Sequence, residues 1–266
     1  MVMTITEDKR PVFMIPRGEV VYIGTTDSRY DKADTWPEVL PEEIEYLFKP
    51  VETYTGVKLA HEDCLTTWAG LRPLISETGK STREISRKDE IWVSESGLIT
   101  IAGGKLTGYR KMAEDTVDEA CGLIGFAVPE AGRDLPLPGG DFDVSVEQLA
   151  LDLTQTWPMQ DEHAQRLVRL YGTESREVLA LGSDEIVAGS GVVEGEVHWA
   201  ITHEGAQSLE DILYRRTRVT YYSPSRVESL LEPVAMLASD PLGWDKSMCD
   251  EQIASMRSRL AEDGAA

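Results

Sequence analysis

GLITIAGGKLTGYRKMAED, residues 97–115, decides how this chain is read. Leu98 to Ala102 carry the apolar, β-branched character of a strand. Gly103 and Gly104 end that pattern and Lys105 follows. From there Leu106, Tyr109, Ala113, Val117 and Ala120 recur three or four residues apart, which predicts a helix with one apolar face. The stretch therefore reads as a strand–GGK–helix corner. The first turn of a helix presents unpaired N–H groups and a partial positive charge. Glycines let a ligand approach the backbone closely, and a lysine adds a full charge. Such a corner suits an electron-rich ring edge, an enolate-like oxygen or a phosphate. It is not a P-loop: GxxxxGK[ST] needs an earlier glycine, and that window holds Ile99 and Thr100. The plain structural account is that two glycines let the strand pack closely on the helix. Gly108 departs from good helix design and costs up to about 1 kcal/mol relative to alanine.

Working outward, EIWVS (90–94) pairs naturally with LITIA (98–102) across a Glu-Ser-Gly turn. PVFMIPRGEVVYIGTTD (11–27) reads as two strands around Arg17-Gly18-Glu19. Pro41 with Glu42 and Glu43 suits a helix start, and Ile44, Leu47 and Phe48 follow at helical spacing. Residues 61–76 mix strand and loop character. Gly125 and Pro129 stop the mid-chain helix, and DLPLPGGDF (134–142) is the clearest linker. Beyond it, helices are predicted over 145–156, 161–171, 174–182, 206–219, 226–239 and 246–261. The fold class is α+β. An antiparallel-sheet portion with the GGK corner occupies 1–128, a linker spans 129–144, and an all-α domain fills 145–266.

Composition narrows the function. Asp plus Glu number 47 against 26 Lys plus Arg, a net charge of −21 in 266 residues. That argues against a basic nucleic-acid face and against purely electrostatic docking on anionic lipid. Cys64, Cys121 and Cys249 are odd in number, far apart and in no CxxC pair, as in reduced cytosolic proteins. His61, His163, His198 and His203 show no HxxxH spacing, so no metal site is expected. MVMTITEDKRP has no signal-peptide core, and no apolar run reaches the ~18 residues of a membrane span.

Two other basic sites stand out. Arg72 lies in WAGLRPLI before Pro73, in a backbone expected to be extended. Arg87 lies in GKSTREISRKDEI beside Lys88. Guanidinium forks match phosphate and carboxylate geometry. With Lys105 the two arginines could surround a small dianion, although isolated arginines commonly serve in surface ion pairs.

VFMIPRGEVVYIGTTDSRYD (12–31), WAGLRPLI (68–75), GKSTREISRKDEI (79–91) and GLITIAGGKLTGYRKMAED (97–115) resemble, in the same order, the FAD-dependent glycerol-3-phosphate dehydrogenases, and the related glycerophosphate oxidases. LPLPGG, LVRLYGTESREVLAL, HWAITHEGAQSLEDILYRRTR and LGWD look like that family's C-terminal helical domain. The family opens with a GxGxxG strand–turn–helix, which this sequence lacks, so it looks like the C-terminal half. The resemblance implies that Gly103, Gly104, Lys105, Leu106 and Thr107 face the flavin, with Lys105 near the reacting centre. It implies that Arg72 and Arg87 bind the substrate phosphate. The family's TTY is TGY here, so Gly108 loses any side-chain contact at that position.

The implied reaction is hydride transfer from C2 of sn-glycerol 3-phosphate to flavin N5, giving dihydroxyacetone phosphate. Electrons then pass to a quinone, or to O2 in oxidases. Expected partners are sn-glycerol 3-phosphate, a quinone, FAD, the missing N-terminal half as a separate chain, and further copies in a homo-oligomer. The expected location is cytoplasmic, with the family's peripheral contact on the inner face of the cell membrane. LYRRTRVTYYS (213–223) is the most basic and aromatic run, read as a helix end packed on the core. The competing reading is an inactive fragment or a non-catalytic interaction module built on the helices. His61 is a general-base candidate by residue type only, and an exposed loop histidine is its simpler account.

Overall fold

The computed structural model describes residues 1–18, 20–32, 36–72, 75, 89–126, 132 and 134–264. Arg87 and Pro129 lie outside them. The chain forms two compact units. The larger comprises 1–27, 38–69 and 136–266; the smaller comprises 28–37 and 70–135.

The larger unit opens with an antiparallel three-stranded sheet: β1 (Val2–Ile5), β2 (Pro11–Arg17) and β3 (Val20–Gly24). Val2 faces Met14 and Phe13 faces Gly24. Thr4, Val12 and Met14 are buried, so alternate side chains cover one face. β2 and β3 match the two strands read from 11–27. β1 is additional: four residues of which only Thr4 is buried leave little pattern to read. Helix α1 (Pro41–Thr55) starts at the proline, with the Glu43 carboxylate accepting the Leu40 amide. Its Tyr46 and Tyr54 hydroxyls donate to Asp8 and to the Ile5 carbonyl, fixing it to the end of the sheet.

The rest of the larger unit is helical. It comprises α3 (Val146–Thr156), α4 (Asp161–Tyr171), α5 (Ser175–Leu181), α6 (Glu194–Thr202), α7 (Val219–Tyr222), α8 (Pro224–Leu242) and α9 (Lys246–Glu262). Ser145 and Asp245 cap α3 and α9 by accepting the Gln148 and Met248 amides. Leu153, Leu167, Val168, Tyr171, Val178, Leu179, Val193 and Trp199 share one core. Two departures from the sequence expectation are physical. The helix expected over 206–219 is instead a π-helical segment, Asp211–Arg216, whose Ile212 carbonyl accepts the Thr217 amide five residues on. The helix expected to stop at 239 runs through Pro233 and Pro241 to Leu242, where Gly243 at φ 67° ends it.

Close backbone contacts weld these helices. A Cβ on Gly195 would lie 1.9 Å from the Val178 carbonyl oxygen, which forces a glycine where α6 crosses α5. Gly195→Ala should lower stability by about 1–3 kcal/mol, measured by urea unfolding; an unchanged midpoint would show that the helices separate without cost. The LPGG stretch is equally tight, with the Gly139 carbonyl accepting the Thr173 amide at 2.9 Å.

Glu204 is a weak point of the same unit. Its Oε2 is buried without a hydrogen-bond partner, and Arg216 Nε lies 3.9 Å away. Burial raises its pKa above the usual carboxylate range, with Arg216 opposing. A folded-state pKa above the unfolded one means that stability falls as pH rises through those values. Glu204→Gln should therefore raise Tm at neutral pH, and the gain should vanish in acid where the wild-type carboxyl is protonated. A gain that persists unchanged in acid would rule out the charge as its cause.

The smaller unit holds β4 (Asp89–Val93), β5 (Ile99–Gly103) and α2 (Tyr109–Ile124). The hairpin is antiparallel, with Asp89 opposite Gly103 and Ile91 opposite Ile101. Gly97 at φ 84° makes its turn. The helix does not begin at Lys105. A 3-10 turn over Leu106–Gly108 precedes it. The apolar stripe is not buried: Leu106 is 88% exposed, Tyr109 45% and Val117 52%, and no described residue of α2 is fully buried. Met112 and Thr116 lie on the partly covered side instead.

Candidate functional site: the GGK corner

The corner is a run of special backbone. Gly103 and Gly104 sit at φ 80° and 75°, in the left-handed region that disfavours side chains. A Cβ on Gly104 would lie 2.5 Å from Met112 Sδ and 3.3 Å from Asp89 Cβ. Close packing of strand end on helix is thus real here: the Met112 side chain fills the space beneath Gly104. Lys105 is extended at φ −123°, ψ 145°, and its carbonyl accepts the Gly108 amide at 2.7 Å. Lys105 is thus the extended residue from which the 3-10 turn at Leu106 starts.

Charge is arranged unusually for so acidic a chain. Gly108 at the start of α2 provides no side-chain cap, and the first turn contains no acidic residue. The Gly108 and Tyr109 amides are taken up by the Lys105 and Leu106 carbonyls, so among the described residues the amides left for solvent or a ligand are those of Leu106 and Thr107, in the 3-10 turn. Lys105 is exposed, and its ammonium has no partner among the described residues. Its neighbours are committed elsewhere. Lys111 pairs with Asp115 at 2.8 Å, and Arg110 donates to the Leu135 carbonyl at 2.8 Å. Leu106 and Thr107 are exposed beside Lys105. The result is an uncapped helix start with one uncommitted cation and open backbone. That set suits a negatively charged or electron-rich ligand group.

Gly103, Gly104, Lys105, Leu106 and Thr107 thus form one continuous element. Arg72 stands apart in sequence, exposed at the end of a coil that follows the short His61–Asp63 3-10 turn, and it has an interaction of its own. Arg87 falls outside the described residues. His61 is exposed, as its simpler account expects. Among the described residues there is no group of three or more His, Cys, Asp or Glu side chains that could hold a metal ion. Sequence reasoning did not find Met112 or Asp89, which shape the corner from below; neither carries a motif of its own.

Two family models match the chain. Residues 2–110 match the FAD dependent oxidoreductase family, and residues 131–249 match the C-terminal domain of alpha-glycerophosphate oxidase. The aerobic glycerol-3-phosphate dehydrogenase of Staphylococcus aureus strain USA300 is 34% identical over 96% of this chain and 48% of its own length. The same enzyme from the bovine strain RF122 is 33% identical over the same shares. The X-ray structure of glycerol-3-phosphate dehydrogenase from Bacillus halodurans complexed with FAD superimposes with a TM-score of 0.80 at 28% identity, covering 98% of this chain and 52% of that one. The family models and the structural match place the fold in the FAD-dependent oxidoreductase class. Within it, the chain belongs to the glycerol-3-phosphate dehydrogenase family. It spans about half the length of the curated relatives it matches.

Proposed function

We propose that this chain is the substrate half of an FAD-dependent glycerol-3-phosphate dehydrogenase, oxidising sn-glycerol 3-phosphate to dihydroxyacetone phosphate with a quinone as final acceptor. The observation that carries the proposal is the corner itself: two left-handed glycines, an uncapped helix start and an unpaired lysine in a chain of net charge −21. FAD, when bound, supplies the hydride acceptor. The Lys105 ammonium and the amides after it favour negative charge at the ring edge. Gly103 and Gly104 supply the left-handed backbone that turns the strand end onto the helix. Arg72 and Arg87 grip the phosphate and fix the orientation of C2. The dinucleotide tail of FAD would be held by the part of the relatives' length that this chain does not span.

The division into a flavin-contacting part at 1–128, a connection at 129–144 and a helical domain at 145–266 belongs to the same proposal. So do homo-oligomer formation and peripheral contact with the inner face of the cell membrane; no helix among the described residues is long and apolar enough to cross it.

The test is the visible spectrum of the purified chain, with FAD and sn-glycerol 3-phosphate added in turn, alone and with a nucleotide-binding half from a relative. Bound yellow flavin that bleaches with substrate supports the reading. A chain that takes up no flavin in either setting overturns it. A second reading, a non-catalytic interaction module, is favoured by one observation: the described core lies in the helices, whereas α2 and its hairpin have no fully buried residue. A colourless chain whose helices alone capture a partner would decide for it.

A further inference from the structure

Strand β1 is an edge of the three-stranded sheet, and its outer side is open. Just past its end the Thr6 amide donates to the Arg10 carbonyl at 2.9 Å. In an antiparallel ladder the pairs that exchange hydrogen bonds recur at every second residue. Thr4 with Val12 and Val2 with Met14 are therefore the bonded pairs, and the backbone groups of Met3 and Ile5 point away from β2. Two observations agree. Ile5 stands opposite Pro11, which has no N–H to give. The Ile5 carbonyl accepts the Tyr54 hydroxyl at 3.3 Å, from outside the ladder. The Met3 amide and carbonyl and the Ile5 amide are left without a partner among the described residues.

The side chains of this edge are open as well: Val2 is 53% exposed, Met3 59% and Ile5 54%. The opposite edge strand, β3, is partly covered at four of its five positions. Proteins guard an open edge with lysine, proline or a bulge. Val-Met-Thr-Ile carries no charge and no proline, and its register against β2 is unbroken. The strand lies inside the family domain, since the FAD dependent oxidoreductase model matches from residue 2. About half of the relatives' length lies outside the match.

We propose that the open side of β1 accepts a strand from the part of the relatives' length that this chain does not span, so that one sheet is completed across two halves. This rests on the reading of the chain as one half of a dehydrogenase. The incoming strand offers acceptors to the Met3 and Ile5 amides and a donor to the Met3 carbonyl, and apolar side chains to cover Met3 and Ile5. A second copy of this chain is the poorer occupant. Each copy has a net charge of −21, and Glu7 and Asp8 adjoin the strand, so pairing β1 with itself brings like charges together.

The test mixes the full chain with the FAD-loaded nucleotide-binding half of the Staphylococcus aureus relative. Three quantities are read: the mass of the assembly by ultracentrifugation, its dissociation constant, and hydrogen exchange at the Met3 and Ile5 amides. A one-to-one assembly should form, with exchange at both amides slowed about tenfold or more. Met3→Pro removes an outward amide and spares the ladder to β2. It should weaken the assembly by about tenfold. Met3→Lys puts a charge on the edge without constraining the backbone, and should weaken the assembly as well. Met236→Lys, at a 75% exposed position of α8, is the control and should change nothing. The proposal is overturned if no assembly forms, if the assembly leaves Met3 and Ile5 exchange unchanged, or if both Met3 variants bind as tightly as the wild type. A chain that dimerises by itself with these two amides protected makes a second copy the occupant, and overturns it too. Flavin bleaching by sn-glycerol 3-phosphate is read separately. An assembly that protects the edge but does not bleach overturns the dehydrogenase reading and leaves the strand pairing standing.

Discussion

Glu196→Ala lowers the stability of the chain by about 3 kcal/mol, the low end for breaking a buried ion pair. Glu196 is fully buried in the first turn of α6. Both carboxylate oxygens accept from Arg166 Nη1 at 2.9 Å, Oε1 accepts the Tyr171 hydroxyl at 3.2 Å, and Oε2 accepts the Val193 amide at 3.0 Å. Arg166 also donates to the Gly191 and Thr217 carbonyls, so one carboxylate ties α4, the loop before α6 and the end of the π-helical segment. Removing it leaves a guanidinium, a phenol and an amide short of an acceptor. Burial, with the Glu196 charge beside it, pushes Tyr171 well above the ordinary phenol range, so the phenol cannot adapt by ionising. The low end of the range applies because the Arg166 side chain is 26% exposed and water can reach it. Replacing both members with apolar residues should recover part of the loss, limited by the carbonyls at 191 and 217. Thermal unfolding of the single and double variants decides. A single variant within 0.5 kcal/mol of wild type would show that the network contributes no net stability.

That network also marks what the sequence could and could not reveal. Helices α3, α4, α5, α8 and α9 were legible because each carries an apolar stripe and is bounded by punctuation such as Pro158, Gly172 and Gly182. Helix α6 was not. In EGEVHWAIT, Gly195, Glu196, Val197, Trp199 and Ala200 are all buried, so no polar face alternates with an apolar one. Its start is capped by the Glu196 carboxylate on the Val193 amide, without the Ser or Thr that usually signals such a box.

Helix α2 was legible as a helix, and its end at Gly125 as well, but not in what its stripe meets. Its stripe was easy to see, but Leu106, Tyr109 and Val117 are exposed, because local pattern predicts a face and not what covers it. At the candidate site, the GGK corner was legible as backbone chemistry alone. The roles of Arg72 and Arg87 came from resemblance, since nothing in an isolated arginine says what it grips.

Lys105→Met in the flavin-bound assembly slows substrate-dependent bleaching by about 10²–10³-fold, the usual cost of removing one group aimed at developing charge. The same substitution leaves Tm nearly unchanged. Lys105 is exposed, sits in extended backbone that methionine adopts equally well, and has no partner among the described residues to lose. Surface substitutions of that kind alter stability by no more than about 0.5 kcal/mol. Stability and rate therefore separate cleanly at this position, which they do not at Gly104, where a Cβ would strike Met112. Lys105→Arg restores the charge and should recover most of the rate, because the corner asks for a cation and not for a particular donor geometry. Anaerobic single-turnover kinetics with sn-glycerol 3-phosphate read the reduction step without the acceptor, so the choice between quinone and O2 does not enter. If Lys105→Met bleaches at the wild-type rate, the two glycines and the Leu106 and Thr107 amides carry the flavin edge unaided, and the lysine is a solvated surface residue.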